Sequence, residues 1–468
     1  MVRSQNTQKI IGASRVFVCD EGFAILKNGG VVYEACASSQ KCAGDSVDCG
    51  GYGDCADLRE SSGAKILAVG QYEELLRAYP SAQREFWHDG VLLPSLVNAH
   101  IHFEFSNNAT SFVYGDFGRW LDSVIAKRDD VLSDMDKSVR EALALQLRNG
   151  VGLVGAISSY GYDLEALSGS GLRVVYFCEA MGSNPSAIDT LFSNFKARLE
   201  QGRAHKSATF IPAVALHSPY SLHPIYAKYV LQEAKRLKTP ISAHFLESTH
   251  EREWLGSGSG YFYDFFSQTF KVPNPKPFYS IEGFLEQFGG LDNVLLTHCL
   301  FVSESEYKTI AQNAHTIVTC PRSNRLLNNT YLPYLHTQGR KVSGVALAPN
   351  TTPNIAPTLA PNIAPNIALG TDGKSSNADV SLLEEMRALL FAYPHIEIDA
   401  LAREIVKMAT CNGARALGVK SGVLKEGYNA DMAVFVIPHI TQSHQEALQF
   451  ILHAKEAKRV LIDGKQML

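Results

Sequence analysis

The sequence predicts an α/β protein in which a (β/α)8 TIM barrel is joined to a small composite β-sandwich domain made from both chain termini. Three observations support this prediction. Short β-like segments lie near both ends of the chain. Between them, apolar strand-like segments alternate with amphipathic segments eight times across about 330 residues. Polar side chains follow several of these apolar segments, where the active site of such a barrel lies.

The terminal segments alternate short β-like stretches with turns. The N-terminal part contains KIIGASRVFVC, GFAILKNGGVVYEA and KILAVG, and the tail contains ADMAVFVI and RVLIDGKQML. Short strands on both sides of a long middle region indicate one β domain made from both ends of the chain. We therefore assign residues 1–92 and 425–468 to the β-sandwich domain and residues 93–424 to the barrel.

The middle region contains eight apolar segments that we predict to be the barrel strands. Unbroken apolar strands are typical of a parallel sheet covered by helices, and SVREALALQLRNG and YAKYVLQEAKRL are predicted helices between them. The eighth strand is either GVALA or NIALGTDG, and we favour the second because it carries Asp372. The other seven are VLLPSLVNAHIH, GVGLVGAIS, LRVVYFCEA, TFIPAVALHSP, PISAHFLES, NVLLTHCLFV and HTIVTCPRSN.

Two segments have the composition of insertions. Residues 35–63 contain four of the nine cysteines, and because no CxxC pair occurs, a zinc ribbon is not expected there. Residues 349–368 repeat PNIAP-like units, in which the recurrent proline prevents a helix and favours an extended loop. We predict a surface loop, with partner docking as the alternative.

Composition and charge narrow the classes of partner. The net charge of the 468 residues is −4, without a long basic run, which argues against nucleic acid or an anionic membrane as a partner. No segment approaches the roughly 20 apolar residues of a membrane span, and the N-terminus lacks a signal-peptide pattern. We expect a cytoplasmic protein with buried thiols and a small-molecule partner. The sequence leaves the oligomeric state open, with a homodimer as the commonest default.

The polar residues at the predicted strand ends are mostly histidines. His100 and His102 lie two apart on strand one, so their side chains point the same way. A single histidine at a strand end is more often a hydrogen-bonded core residue than a metal ligand. Polar groups at five strand ends together favour metal ligands over core residues, because burying so many titratable groups costs free energy unless they pair or bind a metal. The other strand-end groups are His217, His244, His298 and Asp372.

A set of imidazoles with one carboxylate indicates a particular class of metal. It suits Zn(II) or Fe(II) better than Ca(II) or Mg(II), which prefer oxygen ligands. We therefore predict one divalent metal ion as the cofactor. Glu247, three residues after His244, is a candidate general acid and base beside that ion. Trp120, in GDFGRWLD, either belongs to the core or stacks on a flat substrate.

Several of these segments together resemble the amidohydrolase superfamily, in its branch of chlorohydrolases and nucleobase deaminases. They are LLPSLVNAHIHFEFS, HSPYSLHP, ISAHFLES, LLTHC, CPRSN and LGTDG with SSN. The resemblance implies a hydrolase with a single metal ion, a TIM barrel and a β-sandwich from both termini. It assigns Glu247 as the proton shuttle, His298 as the residue that polarises the reacting oxygen and His217 as a substrate contact. The implied metal ligands are His100, His102, His244 and Asp372, of which Asp372 also accepts a proton during the reaction.

Within that branch, LPSLVNAHIHFEFSNN, SFVYGDFGRWLDSV and TCPRSNRLL are similar to the aminofutalosine deaminases of menaquinone biosynthesis. These enzymes hydrolyse the 6-amino group of an adenine-bearing nucleoside. The similarity implies that Arg119 and Trp120 lie near the substrate, and Arg322 is a second candidate to pair with a substrate carboxylate. The alternatives are a related deaminase or chlorohydrolase acting on adenosine, S-adenosylhomocysteine, methylthioadenosine or guanine, and a non-catalytic binding or assembly protein on the same fold.

Overall fold

A computed structural model describes residues 7–35, 63–333 and 364–468. The four clustered cysteines, the GVALA segment and residues 349–363 of the proline-rich insertion lie outside these ranges. Within them, no helix is both long enough and apolar enough to cross a membrane.

The chain begins with strands of the terminal sheet. Valine and isoleucine are frequent in them, and such β-branched residues pack well on a pleated surface. β1 pairs antiparallel with β2 and parallel with β4. These strands are β1 (Thr7–Phe17), β2 (Ile25–Ala35), β3 (Ile66–Gln71) and β4 (Gln83–Pro94).

Eight parallel strands then form the barrel, each beside the next in chain order. The first and last meet where the N–H groups of Thr371 and Asp372 donate to the carbonyl oxygen of His100, both at 3.1 Å. All eight predicted strands are confirmed, and the last is the segment that precedes Asp372. They are β5 (Leu96–Ile101), β6 (Val151–Ser158), β7 (Arg173–Ala180), β8 (Phe210–Leu216), β9 (Ile241–Phe245), β10 (Val294–His298), β11 (Thr316–Thr319) and β12 (Asn366–Leu369).

The tail returns to the terminal sheet, which confirms a β domain built from both ends of the chain. Its strands are β13 (Met432–Val436), β14 (Arg459–Ile462) and β15 (Lys465–Gln466). The described strands form one seven-stranded mixed sheet in the order β15-β14-β13-β4-β1-β2-β3. The segment VLLP, which we had grouped with barrel strand one, is the end of β4, so the chain passes from sheet to barrel at Ser95. The division at residues 92 and 425 stays a prediction.

Helices connect and cover the barrel strands; α6 contains the predicted helix YAKYVLQEAKRL, and α3 contains the predicted helix SVREALALQLRNG except for its last two residues. Side chains cap several of them; Asp116, for example, accepts the N–H of Arg119 at 3.0 Å at the start of the second helix. The helices are α1 (Tyr72–Ala78), α2 (Phe117–Leu132), α3 (Asp136–Arg148), α4 (Leu164–Ser168), α5 (Ile188–Ala204), α6 (Pro224–Leu237), α7 (Thr249–Ser257), α8 (Tyr261–Asp264), α9 (Ile281–Glu286), α10 (Glu304–Gln312), α11 (Pro321–Asn328), α12 (Leu382–Ala392), α13 (Ile398–Lys407), α14 (Gly413–Ala416) and α15 (Glu446–His453).

The buried core positions the strand ends. A large cluster joins the barrel strands to the surrounding helices, and a smaller one combines alternate residues of seven barrel strands with α14. Alternation within a strand, as in Val175 and Phe177, places these side chains on one face of the sheet. The terminal sheet has its own cluster, which includes Ile11, Leu92 and Val434. The strands are therefore packed on both faces, which holds their carboxyl ends in fixed positions.

Candidate metal and active site

The structure brings the predicted histidines and Asp372 together at the carboxyl ends of the barrel strands. His100 lies in β5, and His102 follows the end of that strand. His244 lies in β9 and His298 is the last residue of β10. Asp372 follows β12 by three residues. All but His102 are buried, and His102 is half-buried, so the cluster is largely withdrawn from solvent.

Three imidazole nitrogens converge on one point. The Nε2 atom of His102 lies 3.2 Å from Nε2 of His100 and 3.3 Å from Nε2 of His244. The Oδ1 atom of Asp372 lies 3.8 Å from Nε2 of His100 and 3.6 Å from Nε2 of His102. Burial lowers the pKa of all three histidines below the usual value, which favours neutral rings with free lone pairs. Converging lone pairs beside a carboxylate fit a metal cation.

The carboxylate of Asp372 is held by three donors. Oδ1 accepts the N–H of Gly373 at 2.9 Å, and Oδ2 accepts the hydroxyls of Ser323 at 2.8 Å and Ser376 at 2.7 Å. Burial alone would raise the pKa of Asp372, but the three nearest imidazoles and the Ser376 hydroxyl together hold it well below its ordinary value. The group is therefore an anion, as a metal ligand requires.

Close backbone approach brings Asp372 to the histidines. A Cβ atom on Gly370 would lie 2.9 Å from Cβ of His100, and one on Gly373 would lie 3.0 Å from Cβ of His102. Asp372 itself has φ +59°, a left-handed conformation that costs energy in a residue with a side chain. The LGTDG sequence thus supplies small residues where the last strand approaches the first.

Glu247 and His298 form the second part of the cluster. The Oε1 atom of Glu247 lies 3.5 Å from Nε2 of His298, which in turn lies 4.0 Å from Oδ2 of Asp372. Burial, and then the negative charge of Asp372, raise the pKa of Glu247 well above its ordinary value. Burial and the Asp372 charge therefore favour the protonated form of Glu247, which is the form that a general acid requires.

The backbone around Glu247 and His298 is held in an unusual conformation. Leu246 has φ +45° and His298 has φ +74°. The N–H groups of Leu246 and Glu247 donate to the carboxylate of Glu251 at 3.1 and 3.0 Å, which holds this turn in place. Left-handed residues with side chains are costly and cluster at functional sites.

The ring orientation of His298 is set by Asn324. Nδ1 of His298 lies 2.8 Å from Oδ1 of Asn324, whose amide nitrogen donates to Thr319 at 3.3 Å. Because the amide oxygen only accepts, Nδ1 carries a proton, and Nε2 faces the cluster.

His217 and an aromatic wall border the cluster. Nδ1 of His217 lies 2.7 Å from the hydroxyl of Ser221, and burial lowers its pKa to about 4. Its ring centre lies 5.2 Å from that of His244 and 6.0 Å from that of Tyr220. Tyr220 stacks on Phe262 at 4.2 Å between ring centres. Both of these aromatic rings are buried, so they form an apolar layer beside the polar cluster.

The remaining predicted site residues differ in their surroundings. Trp120 is half-buried against the core, and its Nε1 donates to the carbonyl oxygen of Ser375 at 2.8 Å. Arg119, its neighbour, is exposed. The guanidinium of Arg322 pairs with Asp379 at 2.8 Å and lies 3.7 Å from Glu385. Arg322 is therefore already paired with carboxylates, whereas the guanidinium of Arg119 has no ion pair among the described residues.

The sequence analysis missed several residues that support the cluster, although their signal is present. Ser323 and Ser376 lie inside the CPRSN and SSN segments, and Tyr220 lies in HSPYSLHP. Glu179, the penultimate residue of β7, follows the same strand-end rule that identified the histidines. Phe262 comes from the loop region after β9 and has no comparable sequence signal.

Comparison with known proteins gives a consistent assignment. Residues 91–467 match the sequence profile of the Amidohydrolase family. The chain is 38% identical to an aminodeoxyfutalosine deaminase of a Nitratiruptor species over 86% of this chain and 93% of that one. It is 32% identical to an adenosine deaminase of Helicobacter pylori over 98% and 100% of the two chains.

A solved structure extends the similarity to the fold. The structure of Helicobacter pylori aminofutalosine deaminase in complex with methylthio-coformycin has a TM-score of 0.80 and 31% identity, covering 98% of this chain and 100% of that one. A zinc-bound adenosine deaminase of Xanthomonas campestris, at 19% identity and a TM-score of 0.69, shares the fold.

Proposed function

The chain belongs to the amidohydrolase family, and we propose that it is a metal-dependent enzyme that hydrolytically deaminates the adenine ring of aminodeoxyfutalosine in menaquinone biosynthesis. The observation that carries the proposal is the convergence of three imidazole nitrogens and one carboxylate beside the buried carboxyl group of Glu247. The choice of aminodeoxyfutalosine as the substrate follows from the names of two relatives, the aminodeoxyfutalosine deaminase of Nitratiruptor and the aminofutalosine deaminase of Helicobacter pylori.

The proposed metal ligands are His100, His102, His244 and Asp372, and the ion would be Zn(II) or Fe(II), which accept mixed nitrogen and oxygen ligands. When bound, such an ion acts as a Lewis acid that activates water for hydrolysis.

The protein's own groups would move the protons. Glu247 would donate a proton to N1 of the adenine ring as water adds to C6, and would assist the departure of ammonia by taking the hydroxyl proton as C6 becomes a carbonyl. Asp372 would take a proton from the attacking water and pass it to the amino group, which leaves as ammonia. Nε2 of His298, between Glu247 and Asp372, would stabilise the charge that develops on the reacting oxygen.

The substrate would lie against the aromatic wall. The ring of His217 lies next to the rings of His244 and Tyr220. The half-buried ring of Trp120 is the further candidate to stack on a purine. Arg119 is exposed and would pair with the substrate carboxylate, whereas Arg322 is already paired with Asp379.

Adenosine is a second candidate substrate, because the Helicobacter pylori relative that matches over nearly the whole chain carries that name. Adenosine has the same adenine ring but no carboxylate, so the same cluster would deaminate it. The choice between the two therefore depends on contacts beyond the ring.

The deciding experiment is an absorbance assay on the purified protein with metal content measured on the same sample. The substrates are aminodeoxyfutalosine, adenosine, methylthioadenosine, S-adenosylhomocysteine and guanine. A kcat/KM at least tenfold higher for aminodeoxyfutalosine would support the proposal, taking tenfold as about 1.4 kcal/mol of discrimination. A higher kcat/KM for another purine would identify that purine as the substrate instead of aminodeoxyfutalosine. Absence of turnover with metal bound would exclude purine deamination.

A further inference from the structure

Glu179 lies in β7 directly behind His244, and the two face each other through unpaired atoms. Oε1 of Glu179 lies 3.7 Å from Nδ1 of His244. Both atoms are buried and find no hydrogen-bond partner among the described residues. A buried polar atom without a hydrogen-bond partner costs free energy. Two unpaired atoms that face each other, a carboxylate oxygen and a ring nitrogen, therefore indicate that they pair with each other. A displacement of about 0.5 Å would bring them to hydrogen-bonding distance.

The rest of Glu179 is fixed, so its free oxygen has a defined direction. Oε2 accepts the hydroxyl of Ser159 at 2.5 Å, and the backbone oxygen accepts a guanidinium N–H of Arg198 at 2.7 Å. Arg198 also donates to the backbone oxygen of Ser158 at 3.3 Å. Glu179 is thus held on two sides, and only Oε1 remains available towards His244.

Ser159 is itself anchored to the segment that carries His102. Glu104, two residues after His102, accepts the backbone N–H of Ser159 at 2.8 Å, of Tyr160 at 3.0 Å and of Tyr162 at 2.9 Å. A chain of contacts therefore runs from Glu104 through Ser159 and Glu179 to His244. Second carboxylates of this kind commonly orient metal-binding imidazoles.

We propose that Glu179 is a positioning residue for His244: it accepts the Nδ1 proton of His244, which leaves Nε2 of that ring unprotonated and directed at the converging nitrogens of His100 and His102. This inference rests on the proposed function, because it assumes that His244 binds the metal. It concerns the affinity for the ion, and Glu179 takes no part in the reaction itself.

His217 is a second imidazole near Glu179, with ligand atoms of Glu179, His217 and His244 all within 4.8 Å. Its Nδ1 is already paired with Ser221 at 2.7 Å, so only Nε2 remains for another partner. The two assignments have different consequences. Support of His244 affects metal affinity, whereas support of His217, a proposed substrate contact, affects KM.

The test measures the affinity of the full-length, metal-stripped protein for Zn(II) by competition with a chromogenic chelator. We expect Glu179→Ala to bind Zn(II) roughly 10- to 100-fold more weakly than the wild type. Glu179→Gln, which retains an acceptor oxygen, should keep most of the affinity. Ser159→Ala removes only the anchor of Oε2 and should weaken binding by less than Glu179→Ala, which keeps the test available if Glu179→Ala does not fold.

Asp163→Asn is the matched control. Asp163 is a buried carboxylate of the same region, but its Oδ1 accepts the Ser158 hydroxyl at 2.6 Å and it does not contact His244. Its variant should bind Zn(II) as the wild type does. Wild-type affinity in both Glu179→Ala and Ser159→Ala, or a change confined to KM, would overturn the assignment to His244. A wild-type protein that binds neither Zn(II) nor Fe(II) would instead overturn the proposed function.

Discussion

Arg173 and Asp431 form a buried two-point ion pair that joins the barrel to the terminal sheet. Nε of Arg173 lies 2.8 Å from Oδ2 of Asp431, and Nη2 lies 3.0 Å from Oδ1. Asp431 also accepts the Ser421 hydroxyl at 2.7 Å and the N–H of Asp463 at 2.8 Å. Arg173 is the first residue of β7, the strand that carries Glu179. The pair therefore connects the segment before β13 to a strand of the candidate site.

Removing one partner of this pair should destabilise the fold. We expect Asp431→Ala to lower the free energy of unfolding by about 3–5 kcal/mol, because it removes the two-point partner of the buried Arg173 charge and leaves only the Asp463 carboxylate, 3.8 Å away, to pair with it. Urea denaturation followed by circular dichroism measures the change. Asp136→Ala, which breaks the exposed pair with Arg140, is the control and should cost less than about 1 kcal/mol. Equal losses in the two variants would contradict the prediction.

The same pair should contribute an acid-sensitive part of stability. Burial alone would raise the pKa of Asp431, but Arg173 and the other donors hold it below its ordinary value of 3.8. A lowered folded-state pKa means that the stabilisation is complete above pH 3.8 and is lost as the pH falls through the folded-state pKa. The Tm difference between wild type and Asp431→Asn should therefore be constant near neutral pH and shrink below pH 3.8.

His315 should make the fold less stable in mild acid. It is buried beside Phe288, neither ring nitrogen has a hydrogen-bond partner among the described residues, and burial lowers its pKa to about 4 from 6.5. In the unfolded chain His315 binds a proton below pH 6.5, whereas in the folded chain it binds one only below about pH 4. The free energy of unfolding therefore decreases as the pH falls from 6.5 to about 4. His315→Phe should flatten the decline of Tm from pH 6.5 to 4, and an unchanged decline would argue against this role.

Glu247 should be essential for turnover but not for metal binding. Glu247→Gln removes the proton that the buried carboxyl carries, and we expect kcat to fall by about 10²- to 10⁴-fold. Metal content per chain should stay at the wild-type value, because Glu247 is outside the proposed ligand set. Steady-state kinetics and metal analysis on one preparation measure both quantities. Wild-type turnover would remove Glu247 from the mechanism.

The two arginines should separate substrate recognition from structure. Arg119→Ala should raise KM for aminodeoxyfutalosine and leave KM for adenosine unchanged, because only the first substrate has a carboxylate to pair with. Arg322→Ala should instead lower the Tm, since it removes the partner of Asp379 and Glu385. A rise in KM for aminodeoxyfutalosine with Arg322→Ala alone would reverse the assignment.

The barrel strands and the histidines at their ends could be predicted because both depend on the order of neighbouring residues along the chain. Apolar strands buried on both faces leave an uninterrupted run, as in LRVVYFCEA, and a barrel places every strand end at one mouth. His100, His244 and Asp372 could therefore be grouped although they lie far apart along the chain. The placement of VLLP in β4 was not predicted, because only Ser95 separates VLLP from the apolar residues of β5, so the change of domain leaves little mark in the pattern.

The sequence by itself determined the barrel, the terminal β domain and which residue types meet at the barrel mouth. Only the tertiary structure decided how those residues are oriented and which partners they have. Glu179 faces His244, Asn324 orients the ring of His298, and Asp379 pairs with the guanidinium of Arg322. These relationships depend on distances of a few ångströms between side chains from different strands, and packing sets such distances, whereas residue order along the chain does not.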